Sequence, residues 1–247
     1  MIWLLIRETV DWQNYSYDLL EEYLKSSTLY KQTVEPKIKL MRKWDQTFSI
    51  PYFQYRHQVK ELAKQSWDQL GATIVEGHLD LSQVQDDDII LTTDDDDWFS
   101  PELPNVLPEV MENHDMITWD CLVNDMWRGS FYSWWTPSHI ITVGSNSYAI
   151  TGRAAKALSD KELKNFLYLH SDMLMVAFRA RVNVLCMASH SLSCYNIHAG
   201  AVSNKLFGKM PISEPRNLTG WTKPYREQMY DLVKNTIGDK KLDLKML

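Results

Sequence analysis

Seven aspartates fall within twelve positions of the stretch "DDDIILTTDDDDWFSP" (residues 86–101), cut into two blocks by a short apolar run. Ile89–Thr93 reads as a strand, and five extended residues span about 17 Å, so the blocks belong to opposite ends of one element. Asp86–Asp88 precede the strand and are expected to form a solvated acidic turn. Asp94–Asp97 follow it, at the carboxyl end, where open α/β sheets bind their ligands. Carboxylates converging there at about 5–6 Å repel by roughly 3 kcal/mol per ionised pair at an effective dielectric near 20. Such a block must splay into water, take up protons or share a hard divalent cation. Oxygen ligands with one imidazole suit Mn²⁺ or Mg²⁺. Trp98 and Phe99 would anchor the turn, and Ser100-Pro101 opens a helix.

A strand followed by "TTDDDDWFSPEL" resembles the Asp-x-Asp segment of nucleotide-sugar glycosyltransferases with the GT-A fold. It is similar in particular to the bacterial rhamnosyltransferase-like group, with Thr93 in place of that group's leucine. The resemblance implies that Asp94 contacts the nucleotide ribose or the metal's water, with Asp95 beside it in the nucleotide site. It makes Asp96 a metal ligand and Asp97 a support or acceptor contact. A bridging divalent ion would offset the charge that grows on the leaving phosphates. His198, in "SCYNIHAGAVSN", matches the late histidine that completes the metal shell, and Asn204 and Lys205 would reach the diphosphate. His170 and Asp172 stand at a probable helix start. There an acidic residue serves the helix dipole or, by the resemblance, Asp172 is the general base for the acceptor hydroxyl. Gly144, Ser145 and Asn146 are expected to face the acceptor or donor sugar. Trp134 and Trp135, with Trp127, Phe131 and Tyr132, suit either sugar stacking or a hairpin core. Arg7, ending the first strand, is expected to meet the nucleotide or to form a surface ion pair with Glu8 or Asp11.

These side chains need a scaffold. Ile2–Ile6 reads as a buried strand, and Tyr15, Leu19, Leu20 and Tyr23 recur at helical spacing. Val59, Leu62, Ala63, Trp67 and Leu70 share a helical face that Gly71 ends. "ATIVEG", "DIILTT" and "DMITWDCLV" read as strands, with a proline-interrupted helix before the last. Residues 126–152 read as antiparallel strands or a hairpin. Ser159-Asp160-Lys161-Glu162 is a capping box, a second helix follows Ser171, and "VNVLCMA" reads as a strand. Prolines 211, 215 and 224 argue for loops before a C-terminal helix. The alternation predicts an α/β fold, with a mostly parallel, GT-A-like (Rossmann-like) sheet flanked by helices and a small antiparallel acceptor-side element. One domain over 1–247 is expected: a nucleotide-sugar half (1–114), an acceptor half (115–204) and a C-terminal loop and helix (205–247).

Composition narrows the classes. A net charge of −6 gives no general attraction to nucleic acid, and only the Lys/Arg content after Lys205 points to a nucleic-acid acceptor. Three cysteines without a CxxC pair suit free thiols in a reducing, cytoplasmic compartment. No stretch reaches the roughly 18 apolar residues of a membrane span. The absence of glycine before Gly71 disfavours a nucleotidylyltransferase, and no Walker A sequence is present. The expected partners are a nucleotide-sugar donor and a saccharide or other hydroxyl acceptor. The alternatives are a non-catalytic cation- or carbohydrate-binding module and another carboxylate–metal phosphotransfer enzyme.

Overall fold

The computed structural model describes residues 1–7, 10–26, 34–125, 130–134, 146–164, 167, 177, 181–198, 200 and 222–237. It is a mixed α/β protein built on one sheet. At one side of the sheet β1 (Ile2–Ile6) pairs in parallel with β2 (Thr73–Glu76), which forms the edge, and with β3 (Ile89–Thr93). Antiparallel β7 (Tyr148–Thr151) lies between β3 and β5 (Met116–Asp125). Beyond β5 runs β8 (Val184–Ile197), parallel to it, and β4 (Trp98–Phe99) closes that edge antiparallel to β8. A hairpin adds β6 (Ser130–Trp134) to β5. The order is therefore β2-β1-β3-β7-β5-β8-β4, with β6 on β5. Strands β1, β2, β3, β5 and β8 all point the same way, so their carboxyl ends share one edge of the sheet.

Helices cover both faces, which is why the central strands are apolar without alternation. The period of two still divides their side chains. Leu4, Ile6, Leu91 and Ile117 pack under α1 (Tyr17–Ser26), α2 (Val34–Thr47), α3 (Tyr52–Asp68), α4 (Leu103–Met111) and the last described helix (Thr222–Ile237). Trp3, Leu5, Ile90, Met116 and Ile150 face the other way, onto Leu79, Val84 and the helix Gly152–Ala157, α5. Helix α6 (Asp160–Lys164) opens with the expected capping box, for Ser159 N–H donates to Glu162 Oε2 at 3.0 Å and Glu162 N–H to Ser159 Oγ at 3.4 Å. The helix Thr222–Ile237 is called α7 below.

Helix α3 buries Tyr52, Tyr55, Val59, Ala63 and Trp67 along one stripe, with Arg56 and Lys60 in the same stripe. Gly71, at φ +59°, makes the stop that the sequence predicts. No helix among the described residues is long and apolar enough to cross a membrane, and Cys121, Cys186 and Cys194 are all free thiols.

Several expectations need correction. Asp88 is not part of a solvated turn: it is 4% exposed and accepts from Trp3 Nε1 and from the Gln85 N–H, both at 2.8 Å. Asp86 and Asp87 do face solvent. Helix α1 buries Leu20 and Leu24 and leaves Leu19 outside. Helix α2 was not expected, because Lys37, Lys39, Arg42 and Lys43 interrupt its stripe of Val34, Ile38, Met41 and Trp44. Strand β8 runs on to Ile197, its polar residues held by β5 on one side and β4 on the other. The antiparallel stretch ends at Thr151, and residues 152–157 form a helix. The helix expected after Ser171 lies outside the described residues.

Candidate functional site

Thr93 ends β3, and the Arg7 N–H extends the β1–β3 ladder by donating to its carbonyl at 3.1 Å. Arg7 and Asp94 thus leave two neighbouring strands at the same edge. The chain then makes a four-aspartate turn before β4. Both rings of β4, Trp98 and Phe99, are fully buried. The turn's own backbone is fastened from two sides: Trp67 Nε1 on α3 donates to the Asp97 carbonyl at 3.0 Å, and Asn196 Nδ2 on β8 donates to the Asp96 carbonyl at 2.8 Å. Aromatic anchoring of the turn is therefore as the sequence suggests. The carboxylates, however, do not fan into water. Asp95, Asp96 and Asp97 are 6%, 8% and 0% exposed, and Asp94 is the half-buried member.

Two buried arginines face them. Arg7 pairs with Asp94 through Nη2 and is 7% exposed, so the surface ion pair with Glu8 or Asp11 is not its role. Arg56 is 2% exposed. Its Nη2 lies 2.6 Å from Asp95 Oδ1 and its Nη1 lies 2.9 Å from Asp96 Oδ2. Its guanidinium carbon sits 4.8 Å from the centre of the Trp12 ring, whose Nε1 donates to Asp95 Oδ2. One planar fork spanning two carboxylates and stacked on an aromatic face is geometry that arginine provides and lysine does not.

His198, at the end of β8, completes the group. Its Nε2 is 3.0 Å from Asp96 Oδ2 and its Nδ1 meets the Gly200 N–H at 3.2 Å and the Tyr55 hydroxyl at 3.4 Å. Because Nδ1 accepts from a backbone donor, the proton of the neutral ring is on Nε2, which donates to Asp96. The 3.0 Å approach of Arg56 Nη1 to Nε2 is then a contact between two donors that share one acceptor. Burial, and the positive charge of Arg56, push the imidazole below its usual pKa in spite of Asp96, which keeps the ring neutral.

The three buried carboxyls differ sharply in acidity. Burial raises all of them, but Arg56 and His198 overcome it at Asp96, which is held well below the usual range. At Asp95 burial wins over Arg56, and the negative charge of Asp96 adds to it, so its pKa is raised. At Asp97 burial together with Asp96 and Asp94 pushes the pKa well above the usual carboxylate value. Asp97 Oδ1 accepts the Asn196 N–H at 3.2 Å, while Oδ2 has no partner among the described residues.

The structure brings Arg7, Asp94, Asp95, Asp96, Asp97 and His198 together at one edge. It does not arrange Asp94, Asp96 and His198 as an open cation cage. Among the described residues, no group of three or more His, Cys, Asp or Glu side chains is placed to hold a metal ion. The inner donors do not fit a resident divalent ion: Asp96 is taken by Arg56 and His198, and the Nε2 that would ligate carries a proton. Asn146 is 1% exposed, and its amide donates to the Cys194 carbonyl at 3.1 Å and accepts from the Cys121 thiol, so it fastens the sheet. Trp134 ends β6 opposite Cys121. Trp135, Gly144, Ser145, His170, Asp172, Asn204 and Lys205 lie outside the described residues.

Arg56, Trp12, Tyr55 and Asn196 are the residues of this candidate site that the sequence reading missed. The signal for Arg56 was present, as a cation inside the apolar stripe of α3. In comparisons with known proteins, no family model matches the chain and no curated protein is significantly similar to it.

Proposed function

We propose that the chain is a GT-A-like glycosyltransferase that moves a sugar from a nucleoside-diphosphate donor to an acceptor hydroxyl. The observation that carries this reading is the meeting of Asp94, Arg7 and His198 at the carboxyl ends of β3, β1 and β8, the edge where sheets of this class bind ligands. The antiparallel strands β6 and β7 beside β5 also agree with an acceptor-side element. Asp94, the half-buried carboxylate of the turn, accepts from the donor's ribose hydroxyls, and Arg7 behind it fixes its direction. Asn204 and Lys205 meet the charge growing on the leaving diphosphate. Asp172 takes the proton from the acceptor hydroxyl, which suits direct displacement with inversion. These last three roles rest on the resemblance. No step is assigned to a divalent ion, since of its expected ligands Asp96 is engaged by Arg56 and His198, and Asp94 by Arg7.

The test is a thermal-shift screen of nucleotide sugars and nucleoside diphosphates, because a ligand that binds the native state raises its stability. At about a hundred times Kd the gain is roughly 2.7 kcal/mol. One nucleotide class is expected to shift the wild type and fail to shift Asp94→Asn. Asp172→Asn is expected to keep the shift and lose transfer. If no nucleoside diphosphate at millimolar concentration moves the transition, the reading is wrong. A second reading has one observation in its favour: both carboxylates of the Asp95–Arg56–Asp96–His198 network are paired within the protein, as in a structural anchor. The chain would then be a non-catalytic carbohydrate-binding module, which binds glycans and neither hydrolyses nor transfers from any nucleotide sugar.

A further inference from the structure

The interior of the acidic turn is shaped like a cation site, and a cation already stands in it. Around the two terminal nitrogens of Arg56 lie Asp95 Oδ1 at 2.6 Å, Asp96 Oδ2 at 2.9 Å and His198 Nε2 at 3.0 Å. These are the donor types that a hard divalent ion would gather. We infer that Arg56 is the resident cation of the turn: its guanidinium occupies the space among Asp95, Asp96 and His198 where a divalent ion would sit, so the native protein admits no such ion there.

Three further features support this. The Arg56 side chain is 3% exposed and its guanidinium carbon stands 4.8 Å over the Trp12 ring, so it is built into the fold. A doubly charged ion placed among the same carboxylates would stand within a few ångströms of the guanidinium, in a buried region where like charges repel strongly. The imidazole is set by the Gly200 N–H to donate from Nε2 toward Asp96, the orientation of a hydrogen-bond partner and the opposite of a ligand's. The role of Arg56 does not rest on the glycosyltransferase reading.

The experiment titrates Mn²⁺ alone into the full chain, following the free aquo ion by electron paramagnetic resonance. Wild type is expected to take up no saturable equivalent up to about 1 mM. Arg56→Met removes the guanidinium and is expected to gain one Mn²⁺ site, at least about tenfold tighter than any uptake by wild type. Arg56→Met/Asp96→Asn is expected to lose that site. Uptake of one equivalent by wild type that Asp96→Asn abolishes would overturn the inference, as would a folded Arg56→Met that gains nothing. If Arg56→Met does not fold, the wild-type titration decides, joined by Arg56→Lys, which keeps a positive charge and is expected to exclude the ion. The two readings fail separately. A chain that ignores every nucleotide yet excludes Mn²⁺ refutes the transferase alone, and one that binds nucleoside diphosphates and also takes up Mn²⁺ by itself refutes the role of Arg56 alone.

Discussion

Asp95 and Asp96 are adjacent in sequence, share one guanidinium and are shifted in opposite directions. The difference lies in the partners of each: Asp96 has His198 as a second donor, whereas Asp95 has only Trp12. A proton entering this pair therefore settles on Asp95. Between the unfolded value near 3.9 and its raised native value, Asp95 holds more protons in the folded state than in the unfolded one. Its contribution to stability is thus present below that window and lost as pH rises through it. Relative to Asp95→Asn, the wild type should lose on the order of 1–3 kcal/mol between about pH 4 and pH 7, which urea unfolding at a series of pH values will show. A second contrast concerns Asp96 and Asp97. Burial and its acidic neighbours raise the pKa of Asp97, and its Oδ2 has no partner among the described residues, so Asp97→Asn, which keeps an acceptor for the Asn196 N–H, should change stability by less than about 1 kcal/mol. Asp96→Ala leaves Arg56 and His198 facing an empty acceptor position and should cost about 3–5 kcal/mol. Equal effects at the two positions would contradict the assignment of charge.

Elements, not single residues, decide where this turn goes. Its entry is fixed by β3 between β1 and β7, and its exit by two residues of β4 pinned to β8. The sequence announced the first of these through five apolar or β-branched residues in a row. It concealed the second, since a two-residue strand has no period to detect. The same limit explains α2, whose lysines lie along the helix surface with their stems packed and so mask the apolar repeat. The first acidic block shows the matching failure for charge. Asp88 looked like its neighbours, but a carboxylate that receives an indole N–H and a backbone N–H is a turn brace. That brace meets α5 at Gly152, whose N–H donates to the Asp88 carbonyl at 2.8 Å. A Cβ there would stand 1.9 Å from the Gln85 carbonyl oxygen. Gly152→Ala must push the 85–88 turn away from the end of β7, and a loss of about 1–3 kcal/mol in urea unfolding is expected.

At the scale of the molecule, the sheet and the candidate edge were legible because strand–helix alternation and the break after Thr93 are local patterns. The compensation of charge was not, because Arg56 comes from a helix 39 residues before Asp95 and the imaginable partners of four aspartates include water, protons and metals alike. What settles the matter is packing across the sheet's helical face, where α7 also takes part. Its Tyr225 ring stacks at a tilt, 5.6 Å from Trp98, and Met229 is fully buried. Met229→Ala should cost about 2–5 kcal/mol and loosen the support beneath Trp98. Urea unfolding with tryptophan emission as the probe will measure both effects, and an unchanged midpoint would show that α7 does not support the turn.

His198 lies 102 positions beyond Asp96 and 142 beyond Arg56. Closing loops of that length is slow, and the imidazole can dock only once β8 has found β5. A chain still growing, or halted before β8, would hold its carboxylates against Arg56 with one hydrogen-bond donor missing. The ring is thus the contribution to this cluster that lies farthest along the chain, and it reaches Asp96 only through the pairing of β8 with β5.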